Sequence, residues 1–229
     1  MPTDPAITEG PASSDELKAH LLVEWERALP NQQPMGEALI ARYSEPHRHY
    51  HNATHLAAVL SRVEEFADDH DLFLVRLGAW FHDAVYAIPE LQVTNEEASA
   101  RLAFRELSRA GLEQEDLNEV ARLVRITTTH KPGARDPEGE LLCDADLAIL
   151  GAPPEEYEAY TRAIRAEYAA VDEQDFVAGR LEIMGELVDT DIFRTGKARY
   201  LIPQARANVE AECARLEARL DELVEGSAP

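Results

Sequence analysis

Apolar residues recur every three or four positions through most of this chain, the spacing that places them on one face of an α-helix. In residues 53–68, for example, Leu56, Val59 and Val63 fall on one stripe. Residues 71–86 are apolar almost all round, which predicts a central buried helix. No segment of convincing length alternates with the two-residue period of a β-strand. The pattern therefore predicts an all-α fold.

Capping residues, prolines and glycines set the expected ends of these helices. Ser13 with Glu16 forms a capping-box pattern that opens the first helix, and Thr94 with Glu97 forms another that opens the fifth. Pro153 and Pro154 start a long helix later in the chain. The expected helices cover about 14–30, 34–44, 53–68, 71–86, 94–111, 113–130, 141–151, 154–171, 173–189 and 203–223.

The two ends of the chain differ in character. Residues 1–13 are acidic and rich in Pro, Ser and Thr, which predicts a disordered tail before a single helical domain over 14–229. That composition is the opposite of a signal peptide, and no apolar run approaches the ~20 residues that span a bilayer. The terminal helix is expected to pack across the bundle or to pair with a second copy in a homodimer.

Charge and cysteine content narrow the partners and the compartment. Forty-four acidic against 22 basic residues give a formal charge of −22. Such a field repels phosphate backbones, so nucleic-acid polymers are not expected as partners, and an anionic substrate would need local cations. Only two cysteines, Cys143 and Cys213, occur, far apart in the sequence. Both features favour a protein of the reducing cytoplasm that does not bind membranes.

Candidate chemistry lies where polar residues interrupt apolar segments. His51 and His55 are four positions apart at the start of a predicted helix, and His82-Asp83 interrupts the most apolar one. A charged aspartate is rarely buried unless it is paired or binds a metal. Imidazole and carboxylate together suit Mn, Fe, Co, Ni or Zn. The candidate ligands, on three predicted helices, are His55, His82, Asp83 and Asp146.

Asp144 is the alternative to Asp146. It precedes an apolar run and has the position of an N-cap. Asp146 lies four positions after Leu142 and three before Ile149, on the side expected to be buried. We take Asp146 as the ligand and Asp144 as the cap, and an exchange of the two roles stays open.

Several motifs resemble those of known metal enzymes. The order H…HD…D resembles the HD superfamily of metal-dependent phosphohydrolases. "YHNATH" followed by "FHD" is similar to the cyclic-nucleotide phosphodiesterases, whose motif is Y-H-N-x-x-H. The segments "RHYHNATH", "WFHDAVY", "NEEASA", "DADLAILG" and "YTRAIRAEY" resemble an uncharacterised bacterial HD group over roughly residues 40–215.

This resemblance implies an HD-type helical bundle with additional C-terminal helices. It implies that His51 donates a proton to the leaving oxygen, while Asp83 holds both metal and water. The expected activity is phosphomonoester or phosphodiester hydrolysis of a small phosphorylated metabolite, a nucleotide above others, by attack of metal-bound hydroxide on phosphorus. The alternatives are an HD-type di-iron oxygenase and a non-catalytic nucleotide-sensing domain. For His51 the alternative is a structural hydrogen bond to a backbone carbonyl.

Two further groups of residues are candidates for the same site. Some HD proteins bind a second metal. His130, Glu97 and Glu96 are candidates for binding such a metal, with Mg²⁺ as one ion for that second site, or for ordering metal-bound water. Helix-end structure would equally account for two of them, since the helix dipole favours a C-terminal histidine and Thr94 pairs with Glu97 in the capping box. Phosphate also needs donors. The candidates for this role, each of which could equally lie on the solvated surface, are Arg48, Lys131 and Arg165.

Overall fold

The computed structural model describes residues 13–68, 71–90, 92–188 and 191–226, so most of the predicted tail lies outside the described residues. This part of the chain contains helices and no strand, which confirms the all-α prediction. The α-helices are α1 Ser14–Ala28, α2 Gln33–Tyr43, α3 Ala53–Phe66, α4 Phe73–Phe81, α5 Asn95–Arg109, α6 Gln114–Ile126, α7 Pro137–Asp146, α8 Pro154–Glu167, α9 Glu173–Val188 and α10 Ile202–Gly226. Two short 3-10 helices cover Leu147–Gly151 and Ala198–Leu201.

Helix α4 forms the centre of the bundle and contacts α1, α3, α5, α6 and α7. Its Trp80 is fully buried and packs edge-on against Trp25 of α1, with ring centroids 5.1 Å apart. Helix α2 reaches this core through Gly36, where a Cβ atom would lie 2.3 Å from Cδ1 of Trp25. The same indole donates from Nε1 to the carbonyl of Gln32 at 2.7 Å, so α1 and α2 are fixed by shape and by a hydrogen bond.

The central helix is shorter than predicted and ends at Phe81 rather than at residue 86. Beyond that point, side chains from other elements bond to the backbone groups that would continue the helix. Ser99 Oγ accepts from the amide of Val85 at 2.9 Å, and Arg48 donates to the carbonyl of Asp83 at 2.7 Å. The His82-Asp83 pair therefore lies in a turn at the end of α4.

Helix α7 corrects the role assigned to Asp144. The helix begins at Pro137, ahead of the predicted start, and its N-cap is Asp136, whose side chain accepts from the amide of Gly139. Asp144 lies in the last turn and is completely buried. It accepts hydrogen bonds from the amides of Arg194 and Thr195, and from the Thr195 hydroxyl at 2.7 Å. Asp144 therefore anchors the 194–195 segment to α7.

Helix α10 packs against α9 and the first 3-10 helix. In this contact Val209 is fully buried, whereas Ala207 is exposed. Asn208 adds hydrogen bonds from Nδ2 to the carbonyls of Leu150 and Ala152, both at 2.8 Å. The described helices include none that is both long and apolar enough to cross a membrane.

Candidate metal centre

The ends of three helices bring the predicted ligands together. His55 lies in the first turn of α3, where Asn52 caps the helix with its Oδ1, and Asp146 is the last residue of α7. Nε2 of His55 is 3.1 Å from Nε2 of His82 and 3.1 Å from Oδ1 of Asp146. Oδ2 of Asp83 is 3.0 Å from Nε2 of His82 and 3.5 Å from Nε2 of His55.

His55, His82 and Asp83 form a buried group that could hold a metal ion, since their ligand atoms lie within 4.8 Å of one another. Together with Asp146, whose Oδ1 contacts His55, we call these residues the metal group. Two further observations fit that use. Oδ2 of Asp83 is buried without a hydrogen-bond partner among the described residues, which is costly unless an ion compensates it. Nδ1 of His82 is 2.7 Å from the carbonyl of Ala79, so with the proton on Nδ1 its Nε2 is free to bind a metal.

The two histidines and the two aspartates of this group shift one another's pKa values. Burial alone would lower the pKa of His82, but the negative charges of Asp83 and Asp146 outweigh it and raise the pKa to about 9. The pKa of His55 is also raised, because contacts with the two carboxylates outweigh its burial. Burial would raise the pKa of Asp83 and of Asp146, yet the neighbouring imidazoles hold both below the usual range. The carboxylates therefore stay ionised and need positive charge beside them.

His130 contacts this group from outside. Its Nε2 lies 2.8 Å from Oδ2 of Asp146. Helix α6 ends at Ile126 rather than at residue 130, and His130 follows it in the left-handed region with φ 50°. Glycine or asparagine usually occupies that conformation, since a Cβ makes it costly. His130 thus both follows a helix end and orients a carboxylate of the metal group.

His51 faces the metal group from the turn before α3. Its Nδ1 is 2.7 Å from Oε2 of Glu167 on α8, while Oε1 of the same carboxylate accepts from the amides of Tyr50 and His51. The ring stacks on Tyr86 with centroids 4.2 Å apart. The partner of this Nδ1 is a carboxylate rather than the backbone carbonyl of the structural alternative. Burial alone would raise the pKa of Glu167, but these hydrogen bonds hold it below its usual value.

The two glutamates of α5 do not join the metal group. The carboxylate of Glu97 pairs with Arg101 and with Arg125, each at 2.6 Å. Only half of the expected capping box forms, because Thr94 accepts from the amide of Glu97 while the Glu97 carboxylate is directed to the arginines. Glu96 is half-buried in the first turn of the helix.

The three predicted phosphate-binding cations have different surroundings. Arg48 is buried behind the site, where it donates to the carbonyls of His51 and Asp83 and braces both. Arg165 bonds to Glu173 and to backbone carbonyls near the end of α8. Of the three, only Lys131 lines the cavity described next, and it pairs with Glu186 at 2.9 Å.

A cavity of about 640 Å³ opens beside the metal group. Its lining includes His51, His130 and Asp146, together with residues of α8 and, in larger number, of α9. Two cations that sequence reasoning misses also line it. Arg180 pairs with the buried Glu212, whereas Arg194 donates to the carbonyl of His130 at 3.2 Å and has no ion pair in the described part of the chain.

Comparison of the chain with protein-family models, curated proteins and solved structures finds no match. Its chemistry is therefore inferred from its own geometry. The cavity falls in the volume range of small-molecule sites, roughly 300–1,000 Å³. A buried imidazole–carboxylate group adjoins it through Asp146, and its lining includes His51, which a carboxylate orients. That combination can bind a divalent ion and transfer a proton beside it.

Proposed function

We propose that this protein is a metal-dependent phosphohydrolase that acts on a small phosphorylated metabolite, with a nucleotide as the leading candidate. The observation that carries the proposal is the His51–Glu167 pair beside the metal group, with His51 in the lining of the cavity. A bound divalent transition metal would supply a Lewis acid and lower the pKa of a bound water. Its ligands would be His55, His82, Asp83 and Asp146.

The role proposed for His51 is that of general acid. With its Nδ1–H donated to Glu167, the imidazole has one orientation and its Nε2 is left for a partner in the cavity. Stacking on Tyr86 holds the plane of the ring. A protonated His51 can then give its Nε2 proton to the leaving oxygen, as the motif resemblance implies.

Arg194 is the best-supported candidate for binding the phosphate. Its guanidinium lies beside His130, next to the metal group, and it forms no ion pair in the described residues, although the Asp144 carboxylate is near enough to feel its charge. Asp144 fixes its backbone by accepting from the Arg194 amide at 3.0 Å. By contrast, the guanidinium of Arg48 is already bonded to two carbonyls at 3.0 Å or less. In a chain of net charge −22, the positive charge of Arg194 in the cavity lining favours an anionic substrate.

The experiment that tests this function compares His51→Ala with His55→Ala, using metal analysis and hydrolysis of phosphate esters. His55→Ala should lose metal and activity together, because it removes one of two imidazole ligands. His51→Ala should keep the metal and lose roughly 10²–10⁴-fold in kcat, the usual size of general acid–base catalysis. The loss should shrink for p-nitrophenyl esters, whose leaving group needs no proton. His20→Ala, on an exposed face of α1, is the matched control.

Other results would identify other functions. Two irons per chain without ester hydrolysis would favour the di-iron oxygenase. Bound nucleotide without turnover in any metal would favour the sensing domain. Equal loss of metal in His51→Ala and His55→Ala would contradict the division of roles and make His51 a ligand.

A further inference from the structure

The residues that line the cavity beside the metal group are of two chemical kinds. His51, His130 and Asp146 are polar, and we call them the polar end. Phe176, Ile183 and other apolar residues of α8 and α9 form what we call the α9 arm. Ile183 is 58% exposed although it borders the cavity. An apolar wall that faces open space in this way is typical of a ligand-binding surface.

Gly179 lies in the wall of the α9 arm, in the interior of a helix. Glycine destabilises a helix interior relative to alanine, so its presence there calls for a reason. A Cβ atom at Gly179 would meet no atom within 4 Å, so packing within the protein does not require it. The space beside its Cα is open, and Gly179 itself lines the cavity. Gly185, in the same helix and equally free of neighbours, does not border the cavity.

The charges around the α9 arm are unsuited to a second anionic group. Asp175, Glu182 and Asp191 line the cavity. Lys131 and Arg180 line it too, but each already has a glutamate partner. A second phosphate or a carboxylate in this arm would therefore face uncompensated negative charge.

We propose that the α9 arm binds an uncharged, apolar group of the substrate, about the size of one aromatic ring, and that Gly179 sets the size limit. This rests on the proposed function in one respect, the assignment of the phosphate to the polar end. The substrate class that follows is an ester of a single phosphate group with an apolar organic part. A side chain longer than alanine at position 179 would point toward Phe176 and enter the arm.

A binding experiment tests this without catalysis. Methylphosphonate, benzylphosphonate and 4-carboxybenzylphosphonate, which have no ester bond, are titrated calorimetrically into Mn²⁺-loaded protein. Benzylphosphonate should bind at least about tenfold more tightly than methylphosphonate, because its ring leaves water. The added carboxylate should remove that gain. Gly179→Leu should also remove it and leave methylphosphonate affinity within about twofold, whereas Gly185→Leu should bind all three as the unaltered protein does.

Each outcome decides one of the two proposals. Equal affinity for benzyl- and methylphosphonate, or an equal effect of both glycine variants, would overturn the α9 arm as a binding site. Benzyl phosphate and ethyl phosphate, assayed in parallel, test the reaction. Selective binding without hydrolysis would refute the phosphohydrolase and support the α9 arm as a binding site. Hydrolysis without selective binding would support the phosphohydrolase and refute the α9 arm. If Gly179→Leu does not fold, the smaller Gly179→Val should still weaken benzylphosphonate and leave methylphosphonate affinity within about twofold, with Gly185→Val as its control.

Discussion

Metal binding to this protein should release protons, and the affinity should rise steeply with pH. The reason lies in the group formed by His55, His82, Asp83 and Asp146. Without an ion, the two carboxylates favour the protonated imidazoles: they raise the pKa of His55 and raise that of His82 to about 9. A metal needs the neutral imidazole, so it has to displace the proton from Nε2.

The size of the change in metal affinity with pH follows from the pKa of His82. At pH 7 a group of pKa about 9 is protonated in all but roughly 1% of molecules, so the apparent metal affinity is about a hundredfold below its value above pH 9. Between pH 7 and pH 9 the affinity should therefore rise about tenfold per unit, with about one proton released by His82. The raised pKa of His55 makes the dependence steeper.

The stability of the metal-free protein should fall as the pH rises, whereas its metal affinity rises. His82 binds its proton more tightly in the folded chain, so its stabilising contribution is complete below pH 6.5 and is lost as the pH rises through about 9. Asp83 and Asp146 contribute stability above their ordinary pKa of 3.8, which is lost as the pH falls through their depressed values. Melting temperature without metal should thus fall between pH 6.5 and 9, whereas saturating metal should reverse that fall.

Calorimetric titration with Mn²⁺ or Zn²⁺ in two buffers of different ionisation enthalpy counts the released protons directly. The same titration of His20→Gln, an exposed histidine of α1, should give the same count. An affinity that does not change between pH 7 and pH 9, with no proton release in either buffer, would refute the coupling between these carboxylates and His82.

Three other changes test how the fold supports the site. Gly36→Ala should cost about 1–3 kcal/mol in the free energy of unfolding, because its methyl group would overlap Trp25, and urea denaturation measures this. Asp144→Ala should cost roughly 1–3 kcal/mol by leaving buried amides unpaired, yet keep the metal, which distinguishes Asp144 from Asp146. His130→Gly should relieve the left-handed backbone without lowering the melting temperature, but weaken metal binding roughly 10–100-fold by freeing Asp146.

The sequence predicts what depends on local spacing and on residue type. Helical periodicity locates the helices, and the Ser13–Glu16 capping box forms as expected at the start of α1. The imidazole and carboxylate residues that interrupt apolar segments do come together, because a buried charge in such a segment has few other partners. Where the expectation is wrong, as for the end of α4, distant side chains such as Arg48 override the helical pattern.

The missed residues are those whose partners are far away in the chain. Glu167 lies 116 positions from His51, which the sequence does indicate, and no periodicity links the two, although Glu167 continues the buried stripe of Tyr160 and Ile164 along α8. Arg194 lies in a segment without helical spacing, and its position depends on Asp144, 50 residues earlier. The significance of Gly179 is likewise invisible until α9 is placed against the cavity.

The turn after α4 is held by hydrogen bonds to its backbone. Tyr43, fully buried, accepts at its hydroxyl from the Asp83 amide at 3.2 Å, and Arg48 holds the carbonyls of Asp83 and His51. These bonds fix the turn after α4 while leaving Oδ2 of Asp83 without a hydrogen bond among the described residues. A carboxylate oriented in this way loses little entropy when it binds an ion. The proposed proton donor His51 and the proposed ligand Asp83 are both held by Arg48, which donates to the backbone carbonyl of each.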